Sequence, residues 1–382
     1  MRALVITWAP GGNLPPLLAA AALLERRGHE VTVLGSRQTC AAASGLGLRV
    51  RSYPRSPDPD TAVAFEAQAD VLMARAAGTD VALDARDALT GLRPDLAVVD
   101  CMLPGAVAAA RATGTPTASI VHFLYGPART QMLRAGGAWT TDLRSLAATH
   151  RMLGLAAPSD GVSAWEAPEL VLVTAPRWLD VDAHAPANVR HAGPLGVRVS
   201  PPAAAPAGEH ARERVLLTFS TTVMAGQEAL IERVGEAVAD LELDALLTLG
   251  PVVDRLAVRL PHSVEVVGHG DHDRLMPGCS AVIGHGGLGT VLRALAHGVP
   301  QLILPLGRDQ AFNAERVEHL RAGIRLRADA PPERIRTALE ELLVDPRFRA
   351  AAARAARRIA ADEPERTAAD ELEHVMSSPS SG

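Results

Sequence analysis

VIGHGGLGT, at residues 282–290, is the stretch of sequence that decides the fold class. Its first residues end an apolar run typical of a buried strand, and the residues after the glycines have the pattern of a helix. A glycine-rich turn between a strand and a helix predicts a βαβ unit, from which parallel sheets are built. Glycines let backbone N–H groups approach a ligand, and a helix N-terminus favours an anion such as phosphate. The predicted contacts are His285, Gly286, Gly287, Gly289 and Thr290. A purely structural tight turn is the alternative.

The same order of strand, turn, helix and strand recurs in both halves of the chain. Apolar runs at residues 3–7, 31–34, 96–99 and 117–121 predict one parallel sheet, and runs at 215–219, 246–249, 264–267, 281–283 and 302–304 predict a second. The segment PPAAAPAG, residues 201–208, is low in complexity and predicts a linker. We therefore expect an α/β protein with two Rossmann-like parallel-sheet domains, residues 1–204 and 205–382, that face a cleft.

Composition excludes several classes of function. The 382 residues are 48% hydrophobic and 21% charged, which is typical of an ordered globular protein. A net charge of −5 and an aromatic content of 3% disfavour nucleic-acid binding. All 38 basic residues are Arg, so Schiff-base and P-loop lysines are excluded. The three Cys fit no zinc or disulfide pattern, and no segment has the roughly 18 apolar residues of a membrane helix. We expect a cytoplasmic protein.

Polar residues follow other predicted strands of the second half. Asp309 and Gln310 begin a helix after LILP, residues 302–305, and such a pair can recognise vicinal sugar hydroxyls. Complementing the helix dipole is the alternative role of Asp309. Further candidate contacts, for a diphosphate and a nucleobase, are Ser220, Thr221, Thr222, Gly268 and His269. The glycines also match the GxGxxG pattern of dinucleotide sites, but Asp309 lies beyond the end of its strand, which disfavours that interpretation.

These segments, in this order, resemble the family 1 glycosyltransferases of the GT-B fold. The most specific matches are HGGLGT at residues 285–290 and PLGRDQAFNAERV at 305–317. AGPLG at 192–196 and VVDCMLPGA at 98–106 match more loosely. The resemblance spans nearly the whole chain and is strongest to bacterial enzymes that attach deoxysugars to antibiotics, especially aromatic polyketides of the angucycline and tetracycline types.

The resemblance implies a division of roles between the two domains. The C-terminal domain would bind a nucleotide-sugar co-substrate, with thymidine diphosphate (TDP) favoured, through the residues already named. The N-terminal domain would bind the acceptor, and the last helix would pack back onto it. The resemblance implies an inverting transfer with no metal and no further cofactor, because the helix dipole and hydrogen bonds stabilise the leaving diphosphate. It is compatible with a homodimer and implies no nucleic-acid or membrane partner.

One departure from the family pattern concerns the catalytic base. Gly12 occupies the position of the family's histidine in the first strand-to-helix turn, so Asp100, which matches its partner carboxylate, lacks that histidine. The candidate replacements are Asp142, with a pKa raised beside an aromatic wall, Asp100 itself and His122. Helix capping by Asp142 and a core position for His122 are the alternatives. The predicted acceptor contacts are Trp8, Gly12, Asn13, Phe123, Tyr125 and Trp139, with core packing as the alternative for the aromatic residues.

The missing histidine leads to a hypothesis about the linkage. Ring carbons beside a phenol hydroxyl are nucleophilic without a strong base, so we expect C-glycosylation of an aromatic polyketide, with O-glycosylation of a phenolic hydroxyl as the first alternative. A non-catalytic GT-B-like helper protein is the second, favoured by the missing histidine and disfavoured by the intact donor motifs. A nucleotide-sugar epimerase and a dinucleotide oxidoreductase are the remaining alternatives.

Overall fold

The computed structural model consists of two compact units. The first comprises Met1–Asp60, Gln68–Gly196 and Glu363–Gly382, and the second comprises Thr61–Ala67 and Val197–Asp362. The described residues are 1–8, 11–56, 65–134, 142–181, 185–198, 212–248, 258–268 and 270–377, with the backbone alone at 65–70. The predicted boundary between residues 204 and 205 lies outside them.

Parallel strands form the sheet of the first unit, in the order β3-β2-β1-β4-β5-β6-β7. These strands are β1 (Arg2–Ile6), β2 (Glu30–Gly35), β3 (Arg49–Ser52), β4 (Leu96–Asp100), β5 (Thr117–Val121), β6 (Leu170–Val173) and β7 (Val189–His191). The helices between them are α1 (Leu14–Arg26), α2 (Arg37–Gly45), α3 (Phe65–Ala76), α4 (Thr79–Leu92), α5 (Pro104–Ala112), α6 (Tyr125–Arg134), α7 (Leu143–Met152) and α8 (Gly161–Trp165). The four predicted strands correspond to β1, β2, β4 and β5, whereas β3, β6 and β7 were not predicted.

A second parallel sheet, in the order β10-β9-β8-β11-β12-β13, organises the other unit. Its strands are β8 (Glu213–Thr218), β9 (Leu243–Thr248), β10 (Val264–Val266), β11 (Ala281–Gly284), β12 (Gln301–Ile303) and β13 (Gly323–Arg325). Its helices are α9 (Gln227–Val238), α10 (His272–Leu275), α11 (Leu288–Ala296), α12 (Gln310–His319), α13 (Pro332–Val344) and α14 (Pro346–Ala361). The predicted fold class, α/β with two parallel sheets, is confirmed, although β13 was not predicted.

Burial on both faces explains why the strands are continuous apolar runs. In β1 the four residues from Ala3 to Ile6 are all buried, rather than alternating between buried and exposed. Helices cover both faces of a parallel sheet, so side chains on both sides need to be apolar. The polar residues are therefore displaced to the loops after the strands, and in a parallel sheet the carboxyl ends of the strands lie at one edge. This edge brings together the candidate residues of each unit.

The helical pattern predicted over residues 348–376 is divided between the two units. Helix α14 ends at Ala361, and α15 (Pro364–Ser377) belongs to the first unit. Glu363 between them has a left-handed φ of 43°, and Pro364 cannot continue the preceding helix. The buried face of α15, including Leu372, joins the core that contains α1. Within the described segments, no helix is both long and apolar enough to cross a membrane.

Candidate functional site

The predicted anion-binding turn joins β11 to α11. Gly286 has a left-handed φ of 87°, and a Cβ added there would lie 2.6 Å from Cγ2 of Ile303. Only glycine adopts this backbone without strain. Gly287 is the N-cap of α11, and the next residues form its first turn. Because the first N–H groups of a helix lack intrahelical acceptors, the turn presents donors to an anion.

His285 is buried beside this turn. Burial lowers the pKa of His285 to about 4, and the charges of Arg308 and His272 also lower it. A hydrogen bond with the Thr218 backbone acts in the opposite direction. The imidazole is therefore neutral at pH 7 and carries one N–H. Its Nδ1 is buried and has no hydrogen-bond partner among the described residues.

Two other buried side chains near the donor loops have an unpaired oxygen. Asn313 donates its Nδ2 to the Gly286 carbonyl and to Oδ2 of Asp309, both at 2.9 Å, and its Oδ1 has no partner among the described residues. Gln227 donates its Nε2 to the Ser220 carbonyl at 3.3 Å, and its Oε1 is likewise unpaired. Buried polar groups are normally hydrogen-bonded, so unpaired atoms around one loop cluster indicate a polar ligand. Neither residue was predicted as a donor contact, although Asn313 lies one helical turn after Gln310.

Asp309 and Gln310 differ in their surroundings. Oε1 of Gln310 accepts hydrogen bonds from the N–H groups of Leu306 and Gly307, at 2.7 and 3.1 Å, and its side chain is buried. Gln310 therefore stabilises the loop after β12 from its buried side. These contacts do not support the predicted contact between Gln310 and sugar hydroxyls. Asp309 is half-buried and makes no capping hydrogen bond through its side chain. It remains a candidate for hydroxyl recognition.

The hydroxyl residues after β8 form a local turn. The Ser220 and Thr222 hydroxyl oxygens are 3.0 Å apart, and the Thr222 N–H donates to Oγ of Ser220 at 3.2 Å. Thr221 is exposed. These local hydrogen bonds leave Thr221 as the most exposed of the three residues that were predicted to contact the diphosphate.

The loop after β10 was also predicted to contact the donor. Gly268 has a positive φ of 31°, and no atom of the described residues lies within 4 Å of a Cβ added there; His269 lies outside the described residues. His272 was not predicted as a contact; its Nε2 lies 3.0 Å from Oγ1 of Thr248 and 3.3 Å from Oγ1 of Thr218. Its position between two strand ends is a tertiary feature, which the sequence indicates only through the histidine-rich segment GHGDHD at 268–273.

In the first unit, Asp100 ends β4 and is completely buried. Its Oδ2 accepts hydrogen bonds from Nδ2 of Asn13 at 2.7 Å and from Oγ1 of Thr7 at 3.1 Å. Its Oδ1 accepts from the Met102 N–H at 3.0 Å and lies 3.1 Å from Nε2 of His122. The predicted carboxylate therefore has a histidine partner, and that histidine follows β5 instead of β1.

Charge complementarity sets the protonation of this pair. Burial would raise the pKa of Asp100, but His122, Met102 and Asn13 hold it below its ordinary value. Burial would lower the pKa of His122, but Cys101 and Asp100 hold it well above 6.5. Because burial also raises the pKa of the Cys101 thiol, that thiol is neutral and Asp100 supplies the negative charge. The side chain of His122 is 14% exposed, whereas that of Asp100 is inaccessible.

Cys101 lies beside Asp100 and His122. Its wide spacing from the other cysteines in the sequence did not indicate this position. A donor atom from each of Asp100, Cys101 and His122 lies within 4.8 Å of the other two. Each oxygen of Asp100 already has two protein hydrogen-bond partners. The arrangement is therefore that of a hydrogen-bond network centred on Asp100.

Comparison with known proteins places this geometry in a family. A model of the C-terminal domain of erythromycin biosynthesis protein CIII-like proteins matches residues 232–375. Several curated relatives are matched over only 32% to 39% of their own lengths. Among them, TDP-daunosamine transferase DnrS of Streptomyces peucetius is 36% identical over 44% of this chain and 39% of its own. L-demethylnoviosyl transferase of Streptomyces niveus is 31% identical over 93% of both chains. The chain belongs to the glycosyltransferases of antibiotic biosynthesis.

The fold comparison agrees with this family. The glycosyltransferase VinC, crystallised in complex with DTDP, superposes with a TM-score of 0.75 and 25% identity, covering 98% of this chain and 99% of VinC. The GT-B fold expected from the sequence is thereby confirmed.

Two of the aromatic residues predicted to contact the acceptor, Phe123 and Tyr125, are buried. Phe123 and Tyr125 stack on Trp165, with ring centroids 5.8 and 4.8 Å away, and Tyr125 donates its hydroxyl to Glu166. Tyr125 has no exposed surface, so it belongs to the core and not to an acceptor surface. Core packing, the alternative interpretation, describes Phe123 and Tyr125 better. Trp139 lies outside the described residues.

The other predicted acceptor contacts lie in the turn after β1. Trp8 is 9% exposed, and its carbonyl accepts a hydrogen bond from Thr39. Gly12 is exposed, with no atom of the described residues within 4 Å of a Cβ added to it. Asn13 is half-buried and hydrogen-bonded to Asp100. Gly12 and Asn13 thus remain accessible next to the buried carboxylate.

Asp142 caps helix α7, which is the alternative role weighed for it. Its carboxylate accepts hydrogen bonds from the N–H groups of Arg144 and Ser145 and from the Ser145 hydroxyl. Burial opposes their effect, but these bonds, those of Ser145 first, hold the pKa of Asp142 below its ordinary value. The expected raised pKa is therefore wrong, and Asp142 is a weaker base than a free carboxylate.

The capping role leads to a prediction for Asp142. We expect Asp142→Asn to leave glycosyl-transfer turnover unchanged, because Asn caps helices as well as Asp does. In the matched variant Asp142→Ala, loss of the cap should lower the free energy of unfolding by about 0.5–2 kcal/mol. Turnover and urea unfolding of both variants check this. Loss of most turnover in Asp142→Asn with unchanged unfolding would return Asp142 to the role of base.

Proposed function

We propose that the chain transfers a deoxysugar from a TDP-sugar to an aromatic polyketide acceptor, with inversion at the anomeric carbon and without a bound metal. The observation that carries this proposal is the turn at Gly286, where a left-handed glycine, the N-terminus of α11 and the unpaired Nδ1 of His285 come together. The DTDP complex of VinC and the similarity to TDP-daunosamine transferase DnrS support thymidine diphosphate as the nucleotide.

The donor loops offer what a departing diphosphate requires. A helix N-terminus carries roughly half a positive charge, and its N–H groups bind phosphate oxygens. Arg308, whose charge acts on His285, adds a cation. These groups stabilise the negative charge that develops as the bond between sugar and diphosphate breaks, so the proposed reaction needs no metal.

Recognition of the sugar is proposed for Asp309. Asn313 donates to Oδ2 of Asp309 at 2.9 Å and also holds the Gly286 carbonyl, so the carboxylate is positioned relative to the phosphate turn. A carboxylate accepts hydrogen bonds only, which suits sugar hydroxyls. Gln310 would support this loop from the core without touching the sugar.

The geometry supports an O-linkage to a phenolic hydroxyl as the first candidate. The C-linkage expected from the sequence depends on the absence of a base for the acceptor. His122, held by Asp100 at 3.1 Å, offers an imidazole that meets this need. C-glycosylation is the second candidate, favoured by the open space at Gly12, where the family has a histidine side chain.

A two-step assay tests the proposed function. Calorimetric titration with TDP, and with NAD as the control nucleotide, is expected to show binding of TDP alone. The chain is then incubated with a TDP-2,6-dideoxyhexose and a panel of phenolic polyketides, and the products are fragmented by mass spectrometry. Loss of the whole sugar identifies an O-linkage, and cross-ring losses with a retained sugar stub identify a C-linkage.

Controls in that assay separate the alternative functions. Reactions without acceptor detect epimerisation or hydrolysis of the donor, and reactions without donor detect background. TDP binding without any product would favour the non-catalytic helper. Binding of NAD without TDP would contradict the proposal.

A further inference from the structure

We infer that His122 is the catalytic base of this chain, with Asp100 as its positioning carboxylate, in place of the histidine that is missing at Gly12. This inference rests on the proposed function and concerns the same transfer reaction. It assigns the task of deprotonating the acceptor to a residue after β5 instead of one after β1.

The hydrogen bonds of Asp100 orient the imidazole. Nε2 of His122 lies 3.1 Å from Oδ1 of Asp100, a carboxylate that the Thr7 hydroxyl and the Asn13 amide hold from the other side. A carboxylate that accepts from Nε2 places the proton of the neutral ring on that nitrogen, so Nδ1 is the basic atom. Asn13 is the N-cap of α1, but its side chain makes no capping hydrogen bond, and its amide donates to Asp100.

The other candidates in this unit are less suited to the role. Asp100 has no exposed surface, and each of its oxygens already has two partners. Asp142 accepts three hydrogen bonds as a helix cap, and its pKa is lowered. Gly12 has no side chain. Of these positions, only His122 combines a basic nitrogen, an anionic partner and exposed surface.

The first unit contains a second histidine–carboxylate pair, His191 and Asp180, which we interpret as structural. Nε2 of His191 also lies 3.1 Å from a buried carboxylate, Oδ2 of Asp180. Asp180 accepts from the N–H groups of Tyr125 and Gly126 at the start of α6, and the His191 side chain is only 4% exposed. The two pairs share their distance, but His122 is more than three times as exposed, at 14%. His191 is therefore the matched control for His122.

The proposed step is a single displacement. As the acceptor hydroxyl oxygen forms a bond to the anomeric carbon, its proton passes to Nδ1 of His122. The bond between the anomeric carbon and the diphosphate oxygen breaks, and its electron pair leaves with TDP. The imidazolium is stabilised by Asp100, and it releases the proton to solvent before the next cycle.

The charged and titratable groups around His122 set the sign of the pH dependence. Asp100 and Cys101 face the ring. The pKa of Tyr53, whose hydroxyl donates to the Thr7 carbonyl at 2.7 Å, is raised well above its ordinary value by burial and by Asp100. Asp100 favours protonated His122, and a base acts only when deprotonated. The value of kcat/KM should therefore rise with pH, with a midpoint above 6.5.

The test compares His122→Gln with His191→Gln in the product assay. His122→Gln keeps an N–H donor for Asp100 and is expected to lose at least about 100-fold in kcat, with the dissociation constant of TDP unchanged. It should also lose the pH-dependent rise, and its defect should shrink for a nitro-substituted hydroxyanthraquinone that is already ionised. His191→Gln is expected to retain kcat and the pH profile of the natural chain.

Each other outcome has a defined meaning. Transfer by the natural chain together with more than about a hundredth of kcat in His122→Gln overturns the inference and leaves the proposed function standing. Absence of transfer by the natural chain overturns the proposed function, and the inference with it. If His122→Gln does not fold, the pH profile of the natural chain is the test. A rise of kcat/KM above pH 6.5 that disappears with the ionised acceptor supports the inference. A flat profile overturns it.

Discussion

Replacement of Asp100 by Ala is expected to lower the free energy of unfolding of the first unit by about 3–5 kcal/mol, the usual cost of removing one partner of a buried ion pair. The Ala variant leaves Asn13, Thr7, the Met102 N–H and His122 without their shared buried acceptor. Urea unfolding at pH 5 measures the effect. Asp160→Ala, which removes an exposed helix cap, is the control and should cost about 0.5–2 kcal/mol.

The cost of Asp100→Ala should depend on pH in a defined way. The lowered pKa of Asp100 contributes stability that is present above its ordinary value of 3.8 and is lost as pH falls through the lowered pKa. The raised pKa of His122 contributes stability that is present below 6.5 and is lost as pH rises through the raised pKa. The difference between the natural chain and the variant should therefore be largest between pH 3.8 and 6.5. A difference that does not change with pH would contradict a charged pair.

Gly286→Ala is expected to abolish most TDP binding. The left-handed backbone costs an L residue about 1–2 kcal/mol. The added methyl group would lie 2.6 Å from Cγ2 of Ile303, and overpacking adds about 1–3 kcal/mol. The turn can relieve this strain only by moving its N–H groups. Loss of one hydrogen bond to a charged phosphate, about 1.5–3 kcal/mol, weakens binding by roughly 10- to 100-fold.

Gly278→Ala is the matched control for Gly286→Ala. Gly278 has a similar φ of 84°, but no atom of the described part of the chain lies within 4 Å of a Cβ added there. Gly278→Ala should therefore show the free-energy cost of the left-handed backbone without the steric overlap. It should keep the TDP affinity of the natural chain. Calorimetric titration and urea unfolding of both variants separate binding from stability. Equal loss of TDP affinity in both variants would mean that the turn at Gly286 has no special role in donor binding.

Burial explains part of what could be predicted of the fold, although the fully buried interior strand β6 was not predicted and the edge strand β10 was. Central strands such as β1, β4 and β11 are covered on both faces and so form unbroken apolar runs that can be recognised in the sequence. Edge strands are different: β3 is RVRS, with exposed and half-buried residues, and β13 has three residues. Their strand conformation comes from hydrogen bonding to a neighbour, which the sequence pattern does not record.

The candidate donor site was predictable where function and local structure share one segment. The turn at residues 282–290 encodes its strand, its glycines and its helix consecutively, so its geometry follows from adjacent residues. Gln310 shows the limit of this reasoning. Its position in the motif was recognised, but the direction of its side chain, toward the N–H groups of Leu306 and Gly307, depends on the folded loop.

The sequence by itself determined the α/β class, the two parallel sheets, the glycine turn and the absence of the family's histidine at Gly12. Each of these features depends on residues that are contiguous in the chain. Only the tertiary structure decided which groups surround Asp100. His122 is 22 residues from Asp100 along the chain and Asn13 is 87 residues away, yet both reach its carboxylate. They do so because β1, β4 and β5 are neighbours in a parallel sheet and end at one edge. Strand order is a property of the assembled sheet, and it places a histidine beside Asp100 although the turn after β1 contains none.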